Sequence, residues 1–393
     1  MMNKRIYLDH GATTPIRSEV FEEMTPYLQG NFGNPSSIHS FGRDARKAVE
    51  DAREQVGQAI GAYSDEILFT SGGTEADNLA IQGVAEKLKD KGKHIITSQI
   101  EHHAVLDTCE AMEKKGYEVT YLPVDNNGLL DPNNLKEAIR KDTILITIMH
   151  ANNEVGTIQP IAELAKIAKE HDIVFHSDAV QTVGSIPVNV DELAVDLLSL
   201  SAHKMYGPKG IGALYIRKGT KLDKIFHGGA QERKIRPGTE NVAGIVGLGK
   251  AISLAVSELE LKSKKITALR DRLIKELTSI EDTQLNGHPE KRLPGNVNVS
   301  FEYIEGESLL LNLDMKGIAA SSGSACTSGS LDPSHVLMAM GLSHQTAHGS
   351  LRLTLGKDNT EEEIEYVLEA IPEVINRLRE MSSLWKGKEA NYS

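Results

Sequence analysis

Three short stretches of this 393-residue chain put chemically capable side chains where apolar runs stop. In Phe69-Thr70-Ser71-Gly72-Gly73-Thr74-Glu75-Ala76 a strand-like run ends, two glycines turn and a helical pattern begins. Such a junction leaves unpaired backbone N–H groups at the positive end of a helix with hydroxyls beside them, which suits a phosphate. A strand–helix turn with a Ser or Thr cap is the other reading of the same residues. The stretch is not GxGxxG and lacks the Gly-Lys-Ser/Thr of a nucleotide loop, which argues against NAD and ATP. In His176-Ser177-Asp178-Ala179-Val180-Gln181 an acid follows an apolar run. The carboxyl ends of strands form the ligand crevice of an open α/β sheet, although an aspartate there also serves as a helix cap. In Ser199-Leu200-Ser201-Ala202-His203-Lys204 a lysine stands in the same relation to another run, where a surface lysine is the default reading. A phosphate cradle, an acid and a lysine at the strand ends of one sheet are what pyridoxal 5'-phosphate requires. The lysine makes the imine, and the acid keeps the ring nitrogen protonated so that the ring can accept electrons.

The elements that must hold these residues are legible as short apolar runs alternating with helical patterns. Strands are predicted at Ile67–Thr70, His94–Ser98, Val119–Pro123, Ile144–His150, Ile173–Ser177, Leu197–Leu200 and Gly212–Ile216. Most are near-continuously apolar, as strands covered by helices on both faces are. Helices are predicted over Glu75–Lys89, Ala104–Lys115, Asn134–Arg140 and Ile161–Glu170, from apolar residues at three- and four-residue spacing. From Gly244 to Leu277 the pattern is one long, increasingly charged helical run without a strand signal. Beyond it lie a strand at Asn296–Phe301, a helix around Ser308–Met315, the Gly/Ser-rich Ser321–Ser330 and a strand at Ser350–Leu355. A closing helix through Ile364, Val367, Ile371, Val374 and Leu378 is expected to kink or break at Pro372. The fold class is therefore α/β: a large domain with a mainly parallel seven-stranded sheet over residues 15–262, and a smaller α+β domain from residues 1–14 and 263–393.

Composition narrows the function. Forty-three Lys and Arg against 55 Asp and Glu give a net charge of −12, which disfavours direct nucleic-acid or anionic-membrane binding. No run reaches the roughly 18 apolar residues of a membrane span, and the first residues lack a signal-peptide core, so a cytoplasmic protein is expected. The two cysteines, Cys109 and Cys326, exclude a CxxC motif and a disulfide framework, and no spacing of His, Cys and acids calls for a metal. Cys109, on a helical pattern, reads as a buried small hydrophobe.

The chain resembles the cysteine desulfurases of the NifS/IscS type, in the class V aminotransferase group of fold-type I enzymes. The resemblance runs from Tyr7-Leu8-Asp9 to the C-terminal helix. It rests on the three stretches above and on Gly33-Asn34-Pro35-Ser36-Ser37, Glu101-His102-His103-Ala104, Asn152-Asn153-Glu154-Val155-Gly156, Arg236-Pro237-Gly238-Thr239 and Ser321-Ser322-Gly323-Ser324-Ala325-Cys326. One departure stands near the start, where Asp9-His10-Gly11-Ala12-Thr13-Thr14-Pro15 replaces the family's usual Asp-Asn-Ala-Ala-Thr-Thr-Pro. That segment is expected to border the substrate pocket.

By this resemblance Lys204 carries the cofactor and moves protons, and Asp178 pairs with the ring nitrogen. Gln181 and Asn153 lie near the phenolic oxygen, and His102 stacks on the ring as the acid–base group for the substrate thiol. Gly73, Thr74, Ser201 and His203 hold the phosphate, with Thr239 reaching over from a second subunit, which makes the protein a homodimer. Arg352 grips the substrate carboxylate, for which a guanidinium fork is suited, and Asn34 is a further substrate-binding residue; an exposed edge-strand position is the other reading of Arg352. Cys326 attacks the sulfur of bound L-cysteine, keeps it as a persulfide and releases alanine. The sulfur acceptor is an iron–sulfur scaffold protein or a tRNA-thiolation protein. The sole tryptophan, Trp385 in Ser382-Ser383-Leu384-Trp385, either docks that scaffold or packs on the preceding helix. The alternatives are another class V enzyme, a selenocysteine lyase or an aminotransferase, and a non-catalytic sulfur-relay protein on the same fold.

Overall fold

The strands that end in the three chemical stretches belong to one sheet. The computed structural model describes residues 5–322, 333–383 and 385–386. Its seven-stranded sheet runs, edge to edge, Ile67–Thr70, Gly212–Ile216, Leu197–Ser201, Val174–Asp178, Thr143–Thr147, His94–Ser98 and Glu118–Leu122. Gly212–Ile216 is antiparallel to both its neighbours, and every other pairing is parallel. Alternate residues feed opposite faces. Ile67, Phe69, Ile96, Ile146, Phe175 and Leu198 pack with the helices Ser40–Ile60, Ile161–Glu170 and Val242–Ser257. Leu68, Ile95, Leu145, Leu197 and Leu214 pack with Gly73–Leu88 and His103–Glu113. Both faces are thus covered, which is why the strands read as unbroken apolar runs.

A second core gathers around Asn296–Phe301, flanked antiparallel by Ser350–Thr354 and Thr283–Leu285. Leu269 and Leu273 of helix Leu259–Leu277, Leu309 and Leu313 of Gly306–Met315, and Ile364, Ile371 and Ile375 of Glu361–Met381 close over it. Ile6 and Leu8 of the N-terminal segment join this core, and Ile6–Tyr7 pairs in parallel with Ile318–Ala319. Among the described residues no single helix is long and apolar enough to cross a membrane.

Two expectations change. The run from Gly244 to Leu277 is two helices that meet at Glu258 with a 70° bend, where the Glu258 carboxylate takes both Nη groups of Arg17. The closing helix runs through Pro372 without interruption, from a capping box at Thr360 and Glu363 to Met381; its buried face outweighs the one lost backbone bond. Helices Ser18–Gln29 and Ser40–Ile60 escape the pattern reading. The first buries only Val20 and Met24; the second does carry a stripe, Ala45, Ala48, Val49, Ala52, Val56 and Ile60, but half of it is alanine.

One buried ion pair ties helix Ser40–Ile60 to the sheet edge. Arg53 Nη1 and Nη2 meet Glu232 Oε2 and Oε1 at 2.9 and 2.7 Å, and Glu232 Oε2 accepts the Phe69 N–H at 2.8 Å. The guanidinium also lies over the Phe69 ring, 4.6 Å from its centroid. Arg53→Ala would strand the Glu232 carboxylate in the interior and is expected to cost about 3–5 kcal/mol. Urea unfolding checks this, and an unchanged midpoint would contradict it.

Candidate active site

The carboxyl ends of the strands open into a cavity of about 260 Å³ lined by Gly73, Thr74, Asp77, His102, Asn153, Asp178, Gln181, Ser201, His203, Lys204 and Arg352, with Gly11, Ala12, Met149 and Val180 completing the wall. Every floor residue sits at or just past a strand end. Thr74 lies in the first turn of Gly73–Leu88, Asp178 and Ser201 are the last residues of their strands, and His203 and Lys204 follow Ser201 in a short 3₁₀ turn.

The glycine pair is required by conformation and by space. Gly72 has φ 156° and ψ −176°, a region open essentially to glycine alone. A Cβ on Gly73 would come within 2.6 Å of Val180 Cγ2. The backbone therefore approaches the cavity closely just where the helix presents its unpaired N–H groups.

Lys204 Nζ donates to the carbonyls of Gly11 at 2.5 Å and Ala12 at 2.9 Å. Gln181 Nε2 donates to the same Gly11 carbonyl at 3.1 Å. Asp178 is buried and accepts the Val180 N–H at 2.9 Å; burial raises its carboxyl above the usual range, while His102, that N–H and Lys204 pull it back down. His102 Nδ1 accepts the Ala104 N–H at 3.1 Å, capping helix His103–Glu113. Burial lowers its pKa, so the ring is neutral near pH 7 with its proton on Nε2. His203, pushed down to about 4 by burial, places Nδ1 3.2 Å from Thr13 Oγ1. Arg352 is 2 % exposed, so it is no edge-strand surface residue; Nη1 donates to the Asn153 carbonyl at 3.2 Å and Nη2 meets Asp9 Oδ1 at 3.0 Å.

Two site candidates lie elsewhere in this chain. Thr239 and Asn34 are exposed and absent from the cavity wall, and Asn34 Oδ1 accepts the Ser36 N–H at 2.9 Å. Cys326 falls outside the described residues. Cys109 is buried. Trp385 packs edge-on against Tyr303 and beneath the Arg379 guanidinium, at 5.6 and 4.6 Å. Asp77 carries no site expectation from the sequence, whereas Gly11 and Ala12 belong to the segment 9–15 expected to border the pocket, and they line the cavity. Asp77 stands four residues after Gly73, so helical spacing alone points it to the same side. It is buried, and burial with the neighbouring Asp178 holds its carboxyl well above the usual range. Gly11 and Ala12 reach the cavity only through tertiary packing.

The model of the aminotransferase class-V family matches residues 6–367. The chain belongs to this class V family. Among curated relatives, a protein named cysteine desulfurase IscS from Dictyoglomus turgidum is 61% identical over 382 residues, covering 97% of each chain. A relative of the same name from Methanosarcina thermophila is also 61% identical, over 97% of this chain and 95% of its own. A solved structure titled NifS-like protein superposes with a TM-score of 0.91 at 41% identity, covering 95% of this chain and all of the other. Another, titled SspA in complex with cysteine, gives 0.80 at 40%, over 91% and 100%. The class V fold is the fold-type I arrangement, and the family uses pyridoxal 5'-phosphate.

The residues present fit that cofactor. The cavity offers a close-approach glycine cradle at a helix N-terminus, hydroxyls at Thr74 and Ser201, a buried carboxylate and a lysine amine around one space.

A third buried acid supports the wall beside His102. Glu101 accepts the Ser98 hydroxyl at 2.6 Å and the Met149 N–H at 3.0 Å, and burial pushes its carboxyl up to about 8. Folded, it keeps a proton that the unfolded chain releases, so its contribution to stability is full below the ordinary carboxylate pKa and is lost as pH rises toward 8. Glu101→Gln carries no such proton. The stability of the variant relative to the wild type is expected to increase from pH 5 to pH 8 in urea titrations; parallel curves would refute this.

Proposed function

We propose that the protein is a pyridoxal-phosphate-dependent L-cysteine desulfurase that converts L-cysteine to L-alanine and passes the sulfur on as a persulfide of Cys326. The observation that carries this reading is the convergence of Lys204, Asp178 and the Gly73–Thr74 helix terminus on one cavity, with a buried arginine in its wall. When bound, pyridoxal phosphate supplies a conjugated ring able to take up an electron pair from the substrate's carbon.

The chain's own residues do the rest. Gly73, Thr74, Ser201 and His203 would bind the phosphate, Asp178 would hold the proton on the ring nitrogen, and Asn153 and Gln181 would serve the phenolic oxygen. Arg352 binds the substrate carboxylate, and its burial strengthens that contact by excluding water. Lys204 Nζ, released from the Gly11 and Ala12 carbonyls, transfers protons at the substrate's α-carbon. His102 Nε2 holds the proton facing the substrate thiol. The Cys326 thiolate forms an S–S bond to the substrate sulfur as the C–S bond breaks; the electron pair goes to the carbon skeleton, which is protonated and leaves as alanine.

A homodimer fits this reading. Phe32, Ile38 and Phe41 are 74%, 92% and 54% exposed, and the Phe32 and Phe41 rings stack at 5.6 Å. Large apolar side chains grouped this way mark an interaction surface, here for a second copy whose Thr239 completes the phosphate site. Within each subunit the two cores form a large domain over residues 15–262 and a small one from 1–14 and 263–393. The protein acts in the cytoplasm, where a reducing environment keeps Cys326 free, and delivers sulfur for iron–sulfur cluster assembly or tRNA thiolation.

The deciding measurement is alanine released from L-cysteine together with sulfide, the persulfide being reduced by an added thiol. Lys204→Ala is expected to abolish both and to lose the visible absorbance of the loaded enzyme. Cys326→Ala is expected to keep that absorbance and lose persulfide and sulfide. Full turnover of Cys326→Ala would instead favour the selenocysteine lyase or aminotransferase reading. Phe32→Ser with Ile38→Asp is expected to give monomers with roughly tenfold weaker cofactor affinity, since each site loses its partner's phosphate contact. Sedimentation with a cofactor titration tests this, and a dimer of unchanged affinity would remove the apolar patch from the interface.

A further inference from the structure

Residues 9–12 engage both cations of the cavity. The carbonyls of Gly11 and Ala12 accept from Lys204 Nζ, and the Asp9 carboxylate meets Arg352 Nη2 at 3.0 Å. Arg352 Nη1 is turned to a neutral carbonyl, that of Asn153, and its buried Nε has no hydrogen-bond acceptor among the described residues. Nη2 belongs to both two-pronged edges that a guanidinium offers. A substrate carboxylate gripped by two N–H groups must therefore share that nitrogen with Asp9 or displace it.

We infer that Asp9 is an internal stand-in for the substrate's α-carboxylate and competes with it for Arg352. The inference rests on the reading of Arg352 as the carboxylate receptor. The placement supports competition over simple anchoring. Arg352 is already fixed by its strand, whose backbone pairs with Asn298 on one side and Ser321 on the other. Asp9 is the more exposed partner, with 21% of its side chain accessible against 2% for Arg352. Its segment is held to the strand edge by the Gly11 N–H on Thr354 Oγ1, at 2.7 Å, a contact that remains when the carboxylate swings away. Before substrate arrives, Asp9 neutralises a buried guanidinium. When substrate binds, the like charge of Asp9 opposes it, so affinity for the amino acid is held below what Arg352 alone would give.

The test compares wild type, Asp9→Asn, Asp9→Ser and Arg352→Ala as loaded enzymes. L-Alanine and L-alaninamide are titrated by calorimetry, and kcat and KM for L-cysteine are measured separately. Competition predicts that both Asp9 variants bind L-alanine about tenfold more tightly, with KM falling and kcat not rising, while L-alaninamide, which lacks the carboxylate, binds unchanged. Weaker L-alanine binding in both Asp9 variants would overturn the proposal and make Asp9 an anchor for Arg352; so would failure of both to fold. If Arg352→Ala leaves L-alanine binding unchanged, the receptor reading itself fails, an outcome distinct from either.

Discussion

A fully buried guanidinium organises the junction of the two cores. Arg352 sits on the small sheet, yet its head group reaches the Asn153 carbonyl of the large unit and the Asp9 carboxylate of the N-terminal segment. An arginine out of water is tolerable only when its charge is balanced and its N–H groups are largely satisfied. Residues 9–12, held to the strand edge by the Gly11 N–H on Thr354 Oγ1, meet that requirement with Asp9 and bring the Gly11 and Ala12 carbonyls to Lys204. Arg352 and Lys204, the proposed substrate receptor and cofactor-bearing lysine, are thus engaged by one short segment.

Burial sets protonation around the cavity. His150 and His203 are each pushed down to about 4 and His102 is lowered too, so the imidazoles are neutral donors and acceptors near pH 7. Glu154, beside Arg352, is pushed up to about 7 by burial although the guanidinium and the Ser334 hydroxyl oppose the shift. Such a site keeps few mobile charges of its own. The anionic groups of a cofactor and an amino acid then meet a small number of fixed cations in a low-dielectric space, where each contact is stronger than in water.

Strands were the most legible part of the fold in the sequence. The seven predicted runs match the observed strands to within about three residues at each end, because residues buried on both faces must be apolar throughout. Helix Ser40–Ile60 is less legible because its buried stripe is half alanine, with glycine beside it, and contrasts weakly with the polar face. At the site, Gly73, Thr74, Asp178, Ser201, His203 and Lys204 were legible because each ends a strand or stands just past one. Asn34 and Thr239 were named through family resemblance, and in this chain they lie away from the cavity. The desulfurase reading, preferred to an aminotransferase or a selenocysteine lyase, agrees with relatives 61% identical along nearly the whole chain.

Local sequence determined which residues end strands, which turn needs glycine and which helix terminus can receive a phosphate, since these follow from backbone sterics and periodicity over a few residues. Tertiary structure alone decided that Asp9 meets Arg352 across 343 positions of chain, and that the Gly11 carbonyl meets Lys204 across 193. Neither partner carries a local signal of the other. Their meeting is set by how the N-terminal segment leaves the small core and is held at Gly11 by Thr354, a path that places Asp9 against a buried charge no neighbouring residue could neutralise.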